Sequence, residues 1–93
     1  MKKTSSKELA AKLGIDHSRA LESVIKADLI AAIVKAAAKK GLTHEGLAER
    51  SGLPRSAVTG ILSGSVQKVT INRVLRLVEA AGLVAEVRVK EVA

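Results

Sequence analysis

The residues with the clearest chemical meaning lie between Gly41 and Gly64, in the segment GLTHEGLAERSGLPRSAVTGILSG. Within it, Ala48, Gly52 and Val58 stand four and then six positions apart. Two helices that cross steeply through a tight turn need this pattern: a small residue lets the second helix approach, glycine adopts the left-handed turn conformation, and a β-branched residue fills the junction. The spacing therefore predicts a helix-turn-helix unit.

Two helices are predicted ahead of this unit. Ser5 and Glu8 have the spacing of a capping box, so we expect a short helix over residues 6–13 that Gly14 ends. The next helix is expected to begin at Asp16 or Ser18 and to run to about residue 40, because no glycine or proline interrupts it. Its apolar face is predicted at Ile25, Leu29, Ile33 and Ala36.

Three shorter helices complete the predicted bundle. Thr43 caps one that reaches about Ser51, and Pro54 opens another that reaches about Leu62. Thr70 caps the last helix, which Gly82 ends. The predicted inward face of that helix is Ile71, Val74, Leu75 and Val78.

The C-terminal tail changes period. Leu83, Ala85, Val87 and Val89 alternate with Val84 and charged residues, which is typical of a strand with one apolar face. A lone strand leaves its backbone groups unpaired, so we expect it to pair with the same strand of a second copy in a homodimer. The predicted fold is all-α: a five-helix bundle with one C-terminal β-strand that pairs between subunits. We divide the chain into an N-terminal lead-in (1–22), the helix-turn-helix domain (23–82) and the C-terminal dimerisation strand (83–93).

Composition excludes several classes of function. The chain of 93 residues has no cysteine and no aromatic residue, and its two histidines, His17 and His44, are far apart in sequence. We therefore expect no disulfides, no cysteine-bound zinc and no aromatic stacking on unpaired RNA bases. We also expect no metal, no cofactor, no enzymatic activity and no membrane span. We expect a cytoplasmic protein.

Charge favours a polyanionic partner. The net charge is +7, and residues 39–76 carry seven basic and two acidic side chains, a net +5. Most of these cations are expected to form a general positive field, namely Lys39, Lys40, Arg50, Arg73 and Arg76.

The motif LAxxxGLxxSxVTxILxG, followed by a threonine-capped helix that ends in Ala80-Ala81-Gly82, resembles the Xre (Cro/repressor-like) helix-turn-helix family. A closer similarity, to HigA-type antitoxins encoded beside RelE-like toxins, rests on the runs 13–16 and 27–29 and on the valine-rich C-terminus. The resemblance implies a homodimer that binds a double-stranded DNA operator, represses its own operon and neutralises a RelE-like toxin.

The resemblance also implies DNA contacts. The second helix of the helix-turn-helix unit, which opens at Pro54, is then the reading helix that contacts DNA bases. The expected base contacts lie at its start and one turn further on, at Arg55, Ser56, Thr59 and Gly60. Phosphate contacts fall on the start of the preceding helix and on the loop after the reading helix, at Thr43, His44, Ser63, Ser65, Gln67 and Lys68. The chain departs from the family at Pro54, where relatives carry a capping serine or threonine.

These residues could also have purely structural roles, without contacting DNA. Arg55 could be a solvated surface charge, and the Thr59 hydroxyl could bond to carbonyls of its own helix. The spacing of Ala10, Gly14 and Ala20 repeats that of the helix-turn-helix unit. We favour a helix that packs on the core or on a partner over a second DNA-reading unit there. A protein-interaction module that inhibits a partner, with little specific DNA binding, is the alternative function.

Overall fold

The computed structural model describes residues 17–64 and 66–92, which form four α-helices and one 3-10 turn. The first helix is by far the longest, and three short helices follow it. In chain order the elements are α1 (His17–Lys40), α2 (His44–Ser51), α3 (Arg55–Leu62), the 3-10 turn (Val66–Lys68) and α4 (Ile71–Ala80).

Side-chain caps start two of the helices where the sequence predicts them. The Thr43 hydroxyl accepts a hydrogen bond from the Gly46 N–H at 3.0 Å, and α2 begins at the next residue. The Thr70 hydroxyl accepts one from the Arg73 N–H at 3.3 Å, which starts α4. Each hydroxyl satisfies an N–H group that has no partner within its helix. Both predicted caps are confirmed.

The core is aliphatic and draws on all four helices. Helix α1 packs against α4, and α2 packs against both α3 and α4. The largest fully buried side chains are Ile33 of α1, Leu47 of α2, Val58 of α3, and Val74 and Leu77 of α4. Helices α2 and α3 are thereby held against α1 and α4.

The predicted apolar faces of α1 and α4 are only partly right. Ile33 is buried as expected, but Ile25 on α1 and Leu75 on α4 are each more than 40 % exposed. Their places in the core are taken by Ile30 and Leu77, which face the neighbouring helices. Both helices carry more apolar residues than one face can bury, so sequence period alone did not select the buried ones.

The predicted C-terminal strand is wrong. The described residues form four α-helices and no strand, in place of five helices and a strand. The backbone N–H of Leu83 donates to the Val78 carbonyl at 3.0 Å, and from Val84 to Val92 every side chain is exposed. The alternating pattern therefore has no buried face here, and the described part of the chain offers no other strand with which to pair. The helix predicted over 6–13 lies outside the described residues.

Candidate nucleic-acid interface

The turn between α2 and α3 has the geometry that the sequence spacing predicts. Gly52 has φ of 75°, in the left-handed region, and its N–H donates to the Ala48 carbonyl at 2.9 Å. Ser51 is buried and its hydroxyl accepts a hydrogen bond from the Leu53 N–H at 3.2 Å. With Val58 fully buried behind the turn, the angle between α2 and α3 is fixed by packing and by backbone bonds.

Helix α3 separates a buried face from an exposed polar one. Val58 and Ile61 are buried in the core, whereas Arg55, Ser56 and Thr59 are exposed. Pro54 precedes the helix and makes no side-chain cap, but its carbonyl accepts from the N–H groups of residues 57 and 58. The departure from the family pattern at Pro54 therefore leaves α3 in place. Its exposed face contains three of the four residues predicted to contact bases; the fourth, Gly60, is half-buried.

His44 and Thr59 meet across the two helices. The His44 Nδ1 atom lies 3.0 Å from the Thr59 Oγ1 atom, and both residues are exposed. Within the described residues, the Thr59 hydroxyl makes its hydrogen bond with His44 and not with a carbonyl of its own helix. A predicted phosphate contact and a predicted base contact are thus joined. No sequence pattern indicates this pair, because its members are 15 positions apart and on different helices.

Two of the predicted phosphate contacts also stabilise helix ends. The Thr43 oxygen is occupied as the cap of α2, while its O–H group remains available as a donor. Ser63 donates its hydroxyl proton to the Gly60 carbonyl at 2.7 Å, at the end of α3. Both residues are exposed.

The loop after α3 is held to α1 by a buried lysine that is not among the residues predicted from the sequence. Lys26 is 5 % exposed, and its Nζ atom donates to the Val66 carbonyl at 3.3 Å. It also lies 3.7 Å from the carboxylate of Glu22, one helical turn earlier. The spacing of Lys26 with the buried Ile30 and Ile33 was the available signal, because lysine can bury its aliphatic stem on an apolar face.

The other predicted phosphate contacts of this loop are Ser65, Gln67 and Lys68. Lys68 is exposed at the end of the 3-10 turn. Ser65 lies outside the described residues, and of Gln67 only the backbone is described. Lys68 therefore supplies the one described cationic side chain of the loop.

A cleft opens beside α3 at Gly60. It has a volume of about 360 Å³ and lies between α3, the loop and the start of α4. Lys68 and Arg73 line it, and a Cβ built on Gly60 would meet nothing within 4 Å. Because glycine brings no side chain, the end of the exposed α3 face is open and has cations at its edge.

Two of the cations expected in a general positive field have structural partners. The Nζ atom of Lys40 donates to the Ala81 carbonyl at 2.6 Å, and Arg50 donates to the Ala80 carbonyl at 3.4 Å. These carbonyls close α4, where positive charge is favourable. The two residues fix α1 and α2 to the end of α4 while their charges remain on the surface.

The part of the chain that the structure describes contains no group of histidine or acidic side chains able to hold a metal ion. Among the same residues, no helix is both long and apolar enough to cross a membrane.

A buried junction, a left-handed glycine turn and an exposed polar second helix define the helix-turn-helix class of DNA-binding domain. A family model described as a helix-turn-helix domain matches residues 16–90. The chain belongs to this helix-turn-helix domain family, which supports a DNA-binding regulator; such domains are typically not enzymes. Comparisons with curated proteins and with solved structures returned no match.

Proposed function

We propose that this protein is a sequence-specific transcriptional regulator that places α3 in the major groove of its operator. The observation that supports this is the polar, exposed face of α3, set against a buried face that fixes the helix on the domain. The major groove is wide enough to admit a helix, and each base pair presents a distinct pattern of donors and acceptors there.

Arg55 has the leading role in base recognition. Its guanidinium group is exposed at the first residue of α3, and no hydrogen bond or ion pair ties it to another described residue. A free guanidinium can donate two hydrogen bonds to O6 and N7 of guanine. Ser56 and Thr59 read neighbouring bases, and the absent side chain at Gly60 shifts part of the recognition to the shape of the DNA.

Phosphate contacts orient the domain on the duplex. We assign them to the start of α2 and to the loop after α3, where exposed polar and cationic groups flank the reading helix. The residues are Thr43, His44, Ser63, Ser65, Gln67 and Lys68.

We further propose that the protein acts as a homodimer on a palindromic operator, with half-sites about one helical turn apart. An apolar groove of about 370 Å³ lies between α1, α4 and the tail, lined chiefly by Leu21, Ile25, Leu75 and Val87. These side chains are between 41 % and 87 % exposed. Glu22 and Glu86 also line the groove, and the exposed tail carries Arg88 and Lys90. The tail that forms one side of the groove therefore carries both signs of charge, so two copies related by a two-fold axis can pair opposite charges around the apolar groove, which favours a second copy as the occupant.

The Xre-like motif and the similarity to HigA-type antitoxins support a narrower role. In this proposal the regulator represses its own operon and, in the cytoplasm, binds and neutralises a RelE-like toxin encoded beside it. We also propose that residues 23–82 form the helix-turn-helix domain, between a lead-in over residues 1–22 and a C-terminal segment over residues 83–93.

The DNA-binding proposal is tested by fluorescence anisotropy with the duplex upstream of the protein's own gene. A shuffled duplex of the same composition is the control. We expect the native duplex to bind at least about 10³-fold more tightly than the shuffled duplex at physiological salt. This is the lower end of the usual ratio between the specific and the nonspecific affinity of a DNA-binding protein. Equal affinity for the two duplexes would contradict sequence-specific recognition.

The antitoxin role is tested by co-expression with the protein of the neighbouring reading frame. A stable complex with a small basic RelE-like protein, together with suppression of its ribonuclease activity, is the expected result. If the neighbour neither binds nor is inhibited, the antitoxin role is wrong and the DNA-binding proposal is unaffected.

The exposed groove favours one alternative function, a protein-interaction module. That alternative predicts tight binding of the neighbouring protein through Leu21, Ile25 and Leu75 together with equal affinity for native and shuffled DNA. The anisotropy measurement therefore separates the two functions.

A further inference from the structure

The hydrogen bond between His44 and Thr59 constrains how Thr59 can read a base. Threonine in a helix commonly has two accessible side-chain rotamers, since its hydroxyl can turn back to bond a carbonyl of the preceding turn. Here the Oγ1 atom lies 3.0 Å from the Nδ1 atom of His44, at the first residue of α2. The imidazole ring therefore holds the hydroxyl in one of these positions.

The direction of this hydrogen bond follows from what the other ring nitrogen must do. In a neutral imidazole one nitrogen donates and the other accepts. A phosphate oxygen only accepts, so a neutral His44 that contacts phosphate carries its proton on Nε2. The Nδ1 atom is then the acceptor, and the hydroxyl of Thr59 donates to it.

We propose that His44 is a positioning residue that makes Thr59 a hydrogen-bond acceptor towards DNA, so that Thr59 selects a base with an amino group. With its proton committed to Nδ1 of His44, the Thr59 oxygen retains only lone pairs for the duplex. In the major groove, adenine N6 and cytosine N4 are the amino donors, whereas guanine and thymine present acceptors. This inference rests on the proposed function, because it assumes that α3 lies in the major groove.

The pair is tested first by ¹⁵N NMR of the imidazole nitrogens at pH 8, in the complex with the duplex upstream of the protein's own gene, so that the phosphate is present. We expect the Nδ1 atom of His44 to be unprotonated in both the wild type and Thr59→Val, but to accept a hydrogen bond only in the wild type, which shifts its ¹⁵N resonance between the two proteins. Valine keeps the shape of threonine and lacks the hydroxyl, and residue 59 is exposed, so the fold is retained. A protonated Nδ1 atom in the wild type, or the same Nδ1 resonance in both proteins, would overturn the inference.

The consequence for recognition is tested by selecting duplexes from a random library. The wild type is expected to select adenine or cytosine at one position per half-site. Both His44→Ala and Thr59→Val should reduce that preference about fivefold, the equivalent of one ordinary hydrogen bond, and the double variant should reduce it no further. Thr59→Ser keeps the hydroxyl and should retain the preference.

Two comparisons make the result specific. His17→Ala, which removes the histidine at the start of α1, should leave every position of the selected sequence unchanged. The preference assigned to Arg55 should also be unchanged in His44→Ala. A His44→Ala variant that loses affinity uniformly, with its base preferences intact, would reduce His44 to a phosphate contact and overturn the inference alone. A wild type that selects no sequence would overturn the proposed function as well, and the NMR result would then still report whether the pair exists.

Discussion

Gly52 and Gly60 form a matched pair of glycine-to-alanine substitutions that should change stability in opposite directions. Gly52 has φ of 75°, a conformation that costs a residue with a Cβ about 1–2 kcal/mol. Its added Cβ would lie 3.1 Å from a terminal nitrogen of Arg76, whose flexible side chain can move away. The backbone term therefore sets the expected loss, and Gly52→Ala should lower the free energy of unfolding by about 1–2 kcal/mol.

Gly60 lacks both of these constraints. It lies inside α3 with no positive φ, and a Cβ there would meet nothing within 4 Å. Alanine is favoured over glycine in a helix interior by about 1 kcal/mol, so Gly60→Ala should raise the free energy of unfolding by about that amount.

Thermal unfolding followed by circular dichroism tests both substitutions at one protein concentration. For a domain of this size, 1 kcal/mol corresponds to about 4–8 °C in Tm. Gly52→Ala should lower Tm by at least about 4 °C, and Gly60→Ala should raise it by about 4–8 °C. A neutral Gly52→Ala would refute the need for a left-handed turn residue between α2 and α3, and a destabilised Gly60→Ala would refute the open cleft beside α3.

Three further predictions concern the loop, the phosphate contacts and the groove. Lys26→Met removes the donor to the Val66 carbonyl, so amide hydrogen exchange across residues 63–70 should become faster. The control is Lys35→Met, which alters an exposed lysine of α1 and should leave this exchange unchanged. Equal exchange in the two variants would mean that Lys26 does not hold the loop. Lys68→Ala should weaken binding to all duplexes alike and lower the slope of log affinity against log salt by about one per copy, and an unchanged slope would remove Lys68 from the phosphate contacts. Leu75→Glu places a charge in the apolar groove and should convert the dimer to a monomer, as measured by light scattering. Asn72→Glu, which adds the same charge at an exposed position of the same helix, should leave the dimer intact. A dimer that survives Leu75→Glu would place the interface elsewhere.

The helix boundaries and the turn could be predicted because their causes are local. Thr43 and Thr70 cap helices through bonds to N–H groups three residues away. Gly52 takes a conformation that few other residues adopt, and Val58 fills the junction that its spacing implied. The two caps and Gly52 lie within one helical turn of the features that they specify, and Val58 lies only six positions after Gly52.

The remaining features depend on contacts that the sequence does not display. The burial of Lys26, and its bond to the carbonyl of Val66 forty positions away, follow from how α1 packs against the loop. The bond between His44 and Thr59 requires the angle between α2 and α3, which is a tertiary property. Ile25 is exposed because α1 carries more apolar residues than the core accepts.

The valine alternation of the tail was misleading for a different reason. A strand exists only where another backbone completes its hydrogen bonds, and a two-residue period cannot say whether that backbone is present. Within the described chain the tail has none, so Val87 and Val89 remain exposed. Sequence period reports side-chain pattern and not the pairing of main-chain groups.

The specificity ratio of Arg55→Ala tests the reading role of α3 most directly. The affinities for the operator and for a shuffled duplex are measured at one salt concentration, for the wild type, for Arg55→Ala and for Arg19→Ala, which removes the same charge from an exposed position on α1. We expect Arg55→Ala to lower the ratio of the two affinities by about 5- to 150-fold, the equivalent of one bidentate contact to guanine, and Arg19→Ala to leave it unchanged. Equal ratios in Arg55→Ala and the wild type would contradict the proposal that α3 reads the bases.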